Sequence, residues 1–339
     1  MSSRPLKRRK PRRWPRVLAF GIAGLALLCL AGMGLSYLRK DHVFEVPAPP
    51  FAASRDSAVI ARGRYLVYGP GHCADCHAAP EAKAIVDGRA PTPAGQSPGG
   101  EAPLTGGYVL RTYLGEMRAP NLTADVATGL GGIPDPLLAR FFRTGIDHRG
   151  HVGLPVMQYP DLSDADLLAI LSFLRTLPPV THAVPPSRYN PLGWITKAWF
   201  LGPFSPERPA PAGPPAEPSA EWGGYLANSV ATCASCHTAR NMKTGEFTGP
   251  RFAGGLILRK ADDPAQALVS PNLTPDPRTG ILAGWSRGQF VARFRQGRLR
   301  SWSPMPWGPF SRMTDLDLES IYLYLHTLAP VERENRLGP

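Results

Sequence analysis

A chain of 339 residues, 43% of them hydrophobic, has room for about two domains, each able to bury its own core. Its 39 prolines and 35 glycines stop short of a low-complexity composition and predict ordered domains rich in loops. The net charge of +12 invites an anionic partner, yet Arg4, Lys7, Arg8, Arg9, Lys10, Arg12, Arg13 and Arg16 all precede residue 17, and the remainder offers no basic stripe with interleaved aromatics, which argues against nucleic acid.

Residues 1–16 form a basic tail, and VLAFGIAGLALLCLAGMGLSYL at 17–38 follows without a charge. That length suffices for a helix across a bilayer. Excess Lys and Arg stay on the cytoplasmic side, so the expectation is a single-pass anchor in a bacterial cytoplasmic membrane, with the N-terminus inside and residues 39–339 in the periplasm. A cleaved signal peptide is the alternative; against it, the run exceeds a usual signal core and no clear A-x-A site follows before PAPPFAA. Cys29 follows Leu28, where a lipoprotein signal wants a small residue, and reads as a small apolar side chain within the span.

Beyond the span the chain is written twice. GRYLVYGPGHCADCHAAP (63–80) aligns with GGYLANSVATCASCHTAR (223–240), APNLTADVATG (119–129) with SPNLTPDPRTG (270–280), and LSDADLLAILSFLRTLPPV (162–180) with MTDLDLESIYLYLHTLAPV (313–331). These copies predict domains at 39–180 and 219–339. The connection at 181–218 ends in SPERPAPAGPPAEPS, an extended and semi-rigid spacer by composition. Just ahead of it, NPLGWITKAWFLGPF reads as a short helix-like stretch. Its Trp194, Trp199 and Phe200 are expected to pack between the domains rather than on a membrane surface.

Within each copy, helical pattern precedes the cysteines, around 56–68 and 219–228. PLLARFFRTG (136–145) and GQFVARFRQG (288–297) suggest a further helix each. The last block is clearest: Leu167, Ile170, Leu171 and Leu174, like Leu318, Ile321, Tyr322 and Leu325, recur at i, i+3, i+4, i+7. Ser163 with Asp166, and Thr314 with Asp317, read as N-terminal caps. Strand alternation is scarce, so the predicted fold class is all-α: two tandem helical domains preceded by one transmembrane helix.

Four of the five cysteines form GHCADCH at 71–77 and ATCASCH at 231–237. Zinc would need both pairs around one ion, but a complete repeat separates them, far from ribbon spacing. A thioredoxin-like site wants a βαβ setting and no particular histidine after the second thiol. Covalent haem c accounts for every position: Cys73 and Cys76, or Cys233 and Cys236, each add to a vinyl group, and His77 or His237 becomes an axial iron ligand. Two covalently bound haem c groups are therefore expected.

For the sixth position GLPVMQYP offers Met157 and SPMPWGPF offers Met305, at equivalent places ahead of the last helix. A thioether there gives the His/Met coordination suited to electron transfer. Met313 aligns with Leu162 at a helix start and reads as packing. His148 and His151 leave bis-histidine coordination open in the first copy, with a surface loop as the commoner fate of such residues.

At this point the chain resembles the membrane-anchored dihaem cytochromes c, with two domains of the mitochondrial-cytochrome-c type. The resemblance runs from about Arg55 to Val331 and rests on CxxCH, PNLT, a methionine loop and a capped helix ending in LPPV or LAPV, each present twice. It implies an electron-transfer subunit whose donor is a periplasmic or membrane-bound dehydrogenase acting on alcohols, aldehydes or sugar acids. The implied acceptor is quinone, another cytochrome or a terminal oxidase. It also implies that the PNL proline lends its carbonyl to the haem histidine, Pro120 to His77 and Pro271 to His237. Trp285 resembles the tryptophan that contacts a haem propionate, whereas the first copy reads GLGGIPD there, and MQY where the second has MPW. The leading expectation is an electron carrier that transforms no substrate itself. The rival is a dihaem cytochrome c peroxidase with one open haem; its need for two unlike haems sits badly with paired methionines.

Overall fold

The computed structural model describes residues 14–87 and 101–335, apart from 155, 158, 242–244, 261–262, 264 and 301. Most of the basic tail, residues 1–13, and Gln158 of the MQY sequence lie outside the described residues.

The apolar run forms one helix, α1 (Trp14–Arg39), with its spanning window wholly unburied. In the first repeat α2 (Ser57–Tyr68) starts at Asp56, whose carboxylate accepts from the Ala58 and Val59 N–H groups. The CxxCH segment forms α3 (Ala74–His77), followed by the short α4 (Lys83–Val86). Two further helices, α5 (Asp135–Thr144) and α6 (Asp164–Thr176), complete the repeat. Next comes α7 (Pro191–Trp199) in the connection. The second repeat holds α8 (Ala220–Tyr225), continued by a π-turn over Leu226–Val230, then α9 (Cys233–Cys236), α10 (Arg287–Arg295), α11 (Trp307–Phe310) and α12 (Asp315–Thr327).

The fold is mostly helical, as expected, and the described residues add two small antiparallel sheets. In the first, β1 (Val109–Thr112) pairs with β2 (Gly115–Arg118), which pairs with β3 (Arg188–Tyr189). In the second, β4 (Ile257–Arg259) pairs with β5 (Ala267–Val269). Strands of two to four residues are too short to show an alternating pattern, which is why the sequence hid them.

Each repeat is built on one helix crossing, α2 on α6 and α8 on α12. Gly63 and Gly223 occupy equivalent crossings, where a Cβ would overlap the backbone of Ala169 or Ser320. Absence of a side chain is what lets the helices approach so closely. Leu66, Leu167 and Leu171 fill the first crossing and Leu226, Leu318 and Leu325 the second, all within one continuous core.

The repeats meet reciprocally. The Tyr65 hydroxyl donates to Asp317 and accepts from the Thr314 N–H (3.0 Å). The equivalent Tyr225 hydroxyl donates to Asp166 (2.8 Å) and accepts from the Ser163 N–H (3.0 Å). Ser163 and Thr314 do cap their helices, accepting from the Asp166 and Asp317 N–H groups. The aspartates do not complete a capping box; the other repeat's tyrosine serves the cap N–H instead. Asp166 is held from its own repeat by Arg62 (2.9 and 3.1 Å) and Asp317 by the Trp222 indole (2.6 Å). The Arg62 guanidinium lies 5.5 Å from the Trp222 ring centroid.

The aromatic stretch of the connection departs from expectation. Trp194 and Trp199 do not pack between the repeats; they pack on the last turn of α1, Trp194 edge-on to Tyr37 (4.9 Å) and the Trp199 indole donating to the Ser36 hydroxyl (3.0 Å). The lower part of the connection, 205–218, has no helix or strand, and Arg208 pairs there with Asp161 of the first repeat (3.0 Å).

Candidate haem sites

In both repeats a residue of positive φ, His72 (39°) or Thr232 (49°), stands before the first cysteine. Non-glycine residues adopt this left-handed conformation at a cost, and such strain gathers at functional sites. It turns the chain out of the preceding helix, and the next residues wind into α3 or α9. Both cysteines of a pair thereby come to lie three residues apart on a single helical turn.

All four thiols are unpaired, Cys76 and Cys236 exposed and Cys73 and Cys233 half-buried. Burial pushes the Cys73 and Cys233 thiols up to about 12. A disulfide oxidoreductase needs the opposite, a depressed thiol pKa. No group of three metal-ligating side chains forms among the described residues, so the two pairs do not converge on one zinc.

The histidines make equivalent contacts, His77 buried at the end of α3 and His237 half-buried just after α9. The His77 Nδ1 lies 2.9 Å from the Pro120 carbonyl and the His237 Nδ1 lies 3.1 Å from that of Pro271. A carbonyl only accepts, so Nδ1 carries the proton and Nε2 keeps its lone pair for a metal. Burial lowers both imidazole pKa values, against the raising effect of the proline carbonyls. The rings are thus held neutral, the form that ligates.

No known protein-family profile matches the chain. Among curated proteins it is 28% identical, over 81% of its length, to the cytochrome c subunit of the quinone alcohol dehydrogenase of Gluconacetobacter polyoxogenes. It is 28% identical over 73% of its length to the gluconate 2-dehydrogenase cytochrome c subunit of Pantoea cypripedii, and over 81% to a diheme cytochrome c-type protein of Cereibacter sphaeroides. The chain is a homologue of dehydrogenase cytochrome c subunits. It spans 57% and 54% of the two dehydrogenase subunits and 84% of the diheme protein.

The remaining candidates in this cytochrome c homologue are less closely grouped. Met305 packs half-buried against the core, its carbonyl accepting from the Trp307 N–H (2.8 Å) and from Arg298 (3.4 Å). Met157 is half-buried in a bend ahead of α6. Met313 is 2% exposed in the core, a packing residue. His148 is exposed in a turn and His151 bridges Val43. Trp285 packs at the core edge and its carbonyl accepts from the Tyr322 hydroxyl (2.8 Å). Across the interface between the repeats, the ring of His72, which stands just before Cys73, meets Phe310 edge-on (5.5 Å).

Sequence reasoning missed two pairs of supporting residues. Asn121 and Asn272, each 1% exposed, accept from the Thr123 or Thr274 N–H and donate to the Val180 or Val331 carbonyl (2.8 Å each). They tie the proline carbonyl to the chain leaving the last helix. Gly106 and Gly254, at φ 75° and 70°, donate their N–H to the His77 and His237 carbonyls (2.8 Å each). The signal for the asparagines was in view, since PNLT stands unchanged in both copies.

Proposed function

We propose that the chain is a membrane-anchored dihaem cytochrome c that carries electrons on the periplasmic face from a dehydrogenase to a respiratory acceptor. Residues 39–180 and 219–339 would each form a domain of the cytochrome-c type, joined by 181–218 and held by the N-terminal helix. The observation that carries this reading is the repeated histidine-to-proline hydrogen bond beside a pair of unpaired thiols. The donor set fits haem c: two thiols, one neutral imidazole with Nε2 unengaged, buried at His77 and half-buried at His237, and a half-buried methionine in each repeat. Names of the relatives support a dehydrogenase as donor; quinone, another cytochrome or a terminal oxidase would accept.

When bound, each haem iron supplies reversible one-electron chemistry. Attachment would add the S–H of Cys73 and Cys76, or of Cys233 and Cys236, across two vinyl double bonds, forming one C–S and one C–H bond at each. His77 and His237 would bind iron through Nε2, and the Pro120 and Pro271 carbonyls fix ring orientation and raise ligand basicity. Met157 and Met305 would close the sixth position, and Trp285 would face a propionate in the second domain.

The test is alkaline pyridine haem quantification followed by carbon monoxide addition to the reduced protein at neutral pH. Two haems per chain with no carbon monoxide band is the expected result. A stoichiometric carbon monoxide complex at one haem would remove the methionine from that site and leave a peroxidase-type open iron.

A further inference from the structure

The span of α1 sets a height scale. From Val17 to Leu38 the helix rises about 33 Å at ~1.5 Å per residue, against a hydrocarbon core of about 30 Å. Ser36 to Arg39 therefore fall where hydrocarbon gives way to headgroups. That last turn is where α7 is fastened. Ser36 is 3% exposed beneath the Trp199 indole. The Arg39 Nε donates to the Ala198 carbonyl (3.0 Å) while its guanidinium lies 4.8 Å from the Trp199 ring centroid. Lys197 is buried on the inner side, 3.6 Å from Asp41 and 4.6 Å from the Tyr189 ring.

With Gly193, Lys197 and Ala198 buried, the opposite face of α7 looks outward. It carries Leu192, Ile195 and Trp199 at i, i+3 and i+7, with Phe200 following. Leu192 and Trp199 are 49% exposed and Phe200 77%. A strip of leucine, tryptophan and phenylalanine at the end of a membrane span has the composition of an interfacial anchor. Its continuity with the apolar surface of α1 makes lipid, rather than a protein partner, the surface that covers it.

We infer that α7 is a membrane-surface collar that rests on the headgroup boundary of the leaflet from which α1 emerges. The inference rests on the proposed reading of α1 as a retained anchor. A lone span leaves the modules beyond it free to swivel; a second, lateral contact through α7 fixes their height and their tilt. The residues that read as interdomain packing in the sequence thus serve the bilayer, by way of α1.

The experiment places single bimane labels on the full-length holoprotein, with Cys29→Ser and the haem cysteines consumed by attachment. Labels go at Phe200→Cys, at Leu27→Cys in the span and at Ile281→Cys in the second repeat. Each variant, its fold checked by haem absorbance, is reconstituted in phosphatidylcholine vesicles with and without bromine on the acyl chains near the headgroup end and near the middle. Expected is that position 200 loses most of its emission to the shallow bromine, position 27 to the deep bromine, and position 281 to neither. If position 27 is quenched and position 200 is as bright as position 281, the collar fails while the anchor stands. If position 27 is not quenched, α1 is not in the bilayer and both readings fall. Shielding of position 200 from aqueous iodide without bromine quenching would assign the strip to a protein partner, and would also overturn the collar.

Discussion

Gly106 stands at the closest approach in the first site. A Cβ there would lie 2.6 Å from the Pro120 carbonyl atoms at a backbone φ of 75°, so Gly106→Ala must move the group that orients His77. Left-handed strain alone costs about 1–3 kcal/mol, read as a loss of stability in denaturant. On the proposed function, a redox titration of the variant shows one of two midpoint potentials displaced. Gly254→Ala, 2.6 Å from the Pro271 carbonyl carbon, displaces the other. Movement of both potentials together would show that the glycines act on the fold and not on the histidines. Cys73→Ala with Cys76→Ala is expected to halve the covalent haem on a haem-stained denaturing gel. At this scale the cysteines and histidines were legible because covalent attachment demands neighbours in sequence. Gly106 was not, because its neighbour Pro120 is brought to it only by the fold.

Among the helices, the longest-range consequence comes from the exchanged tyrosines. Tyr65→Phe removes an acceptor for the Thr314 N–H and a donor to Asp317; hydrogen bonds to charged groups contribute about 1.5–3 kcal/mol, so calorimetry should show a loss of that order. Tyr225→Phe should match it. Burial, and then the Asp317 charge, holds the Tyr65 phenol above its ordinary value of 10.0, and burial with Asp166 does so for Tyr225. The native state therefore keeps protons that the unfolded chain gives up first. The stability these tyrosines contribute is whole below pH 10 and declines as pH rises past it, and Tyr65→Phe should flatten that decline in thermal melts. An equal slope in the variant would remove the tyrosine from the effect. Helices α6 and α12 were legible from their apolar spacing and caps. The tyrosine caps were not, since a cap donated by the other repeat leaves no local pattern.

For the whole molecule, one apolar helix and its collar make a simple demand. The full chain should stay in the membrane pellet through high salt and alkaline carbonate and leave only with detergent, because apolar burial holds it and not charge. A soluble protein whose N-terminus maps beyond residue 38 would show instead that the helix is a cleaved signal. The duplication itself could be read directly from the aligned blocks. How the copies meet could not, nor could the partner of Trp194 and Trp199, which pack on the last turn of α1, because tryptophans suit many kinds of contact equally.

Where the reciprocal contact departs from symmetry, it distinguishes self from neighbour. Arg62 and Trp222 are the equivalent residues of the two repeats, and they sit against each other. Two first repeats meeting from separate molecules would oppose guanidinium to guanidinium, and two second repeats would forfeit the cation held over the indole. Only unlike halves satisfy the pair, and the connection at 181–218 supplies an unlike half within the same chain. A surface that under full symmetry would have invited chains to associate in pairs is thereby closed within a single chain.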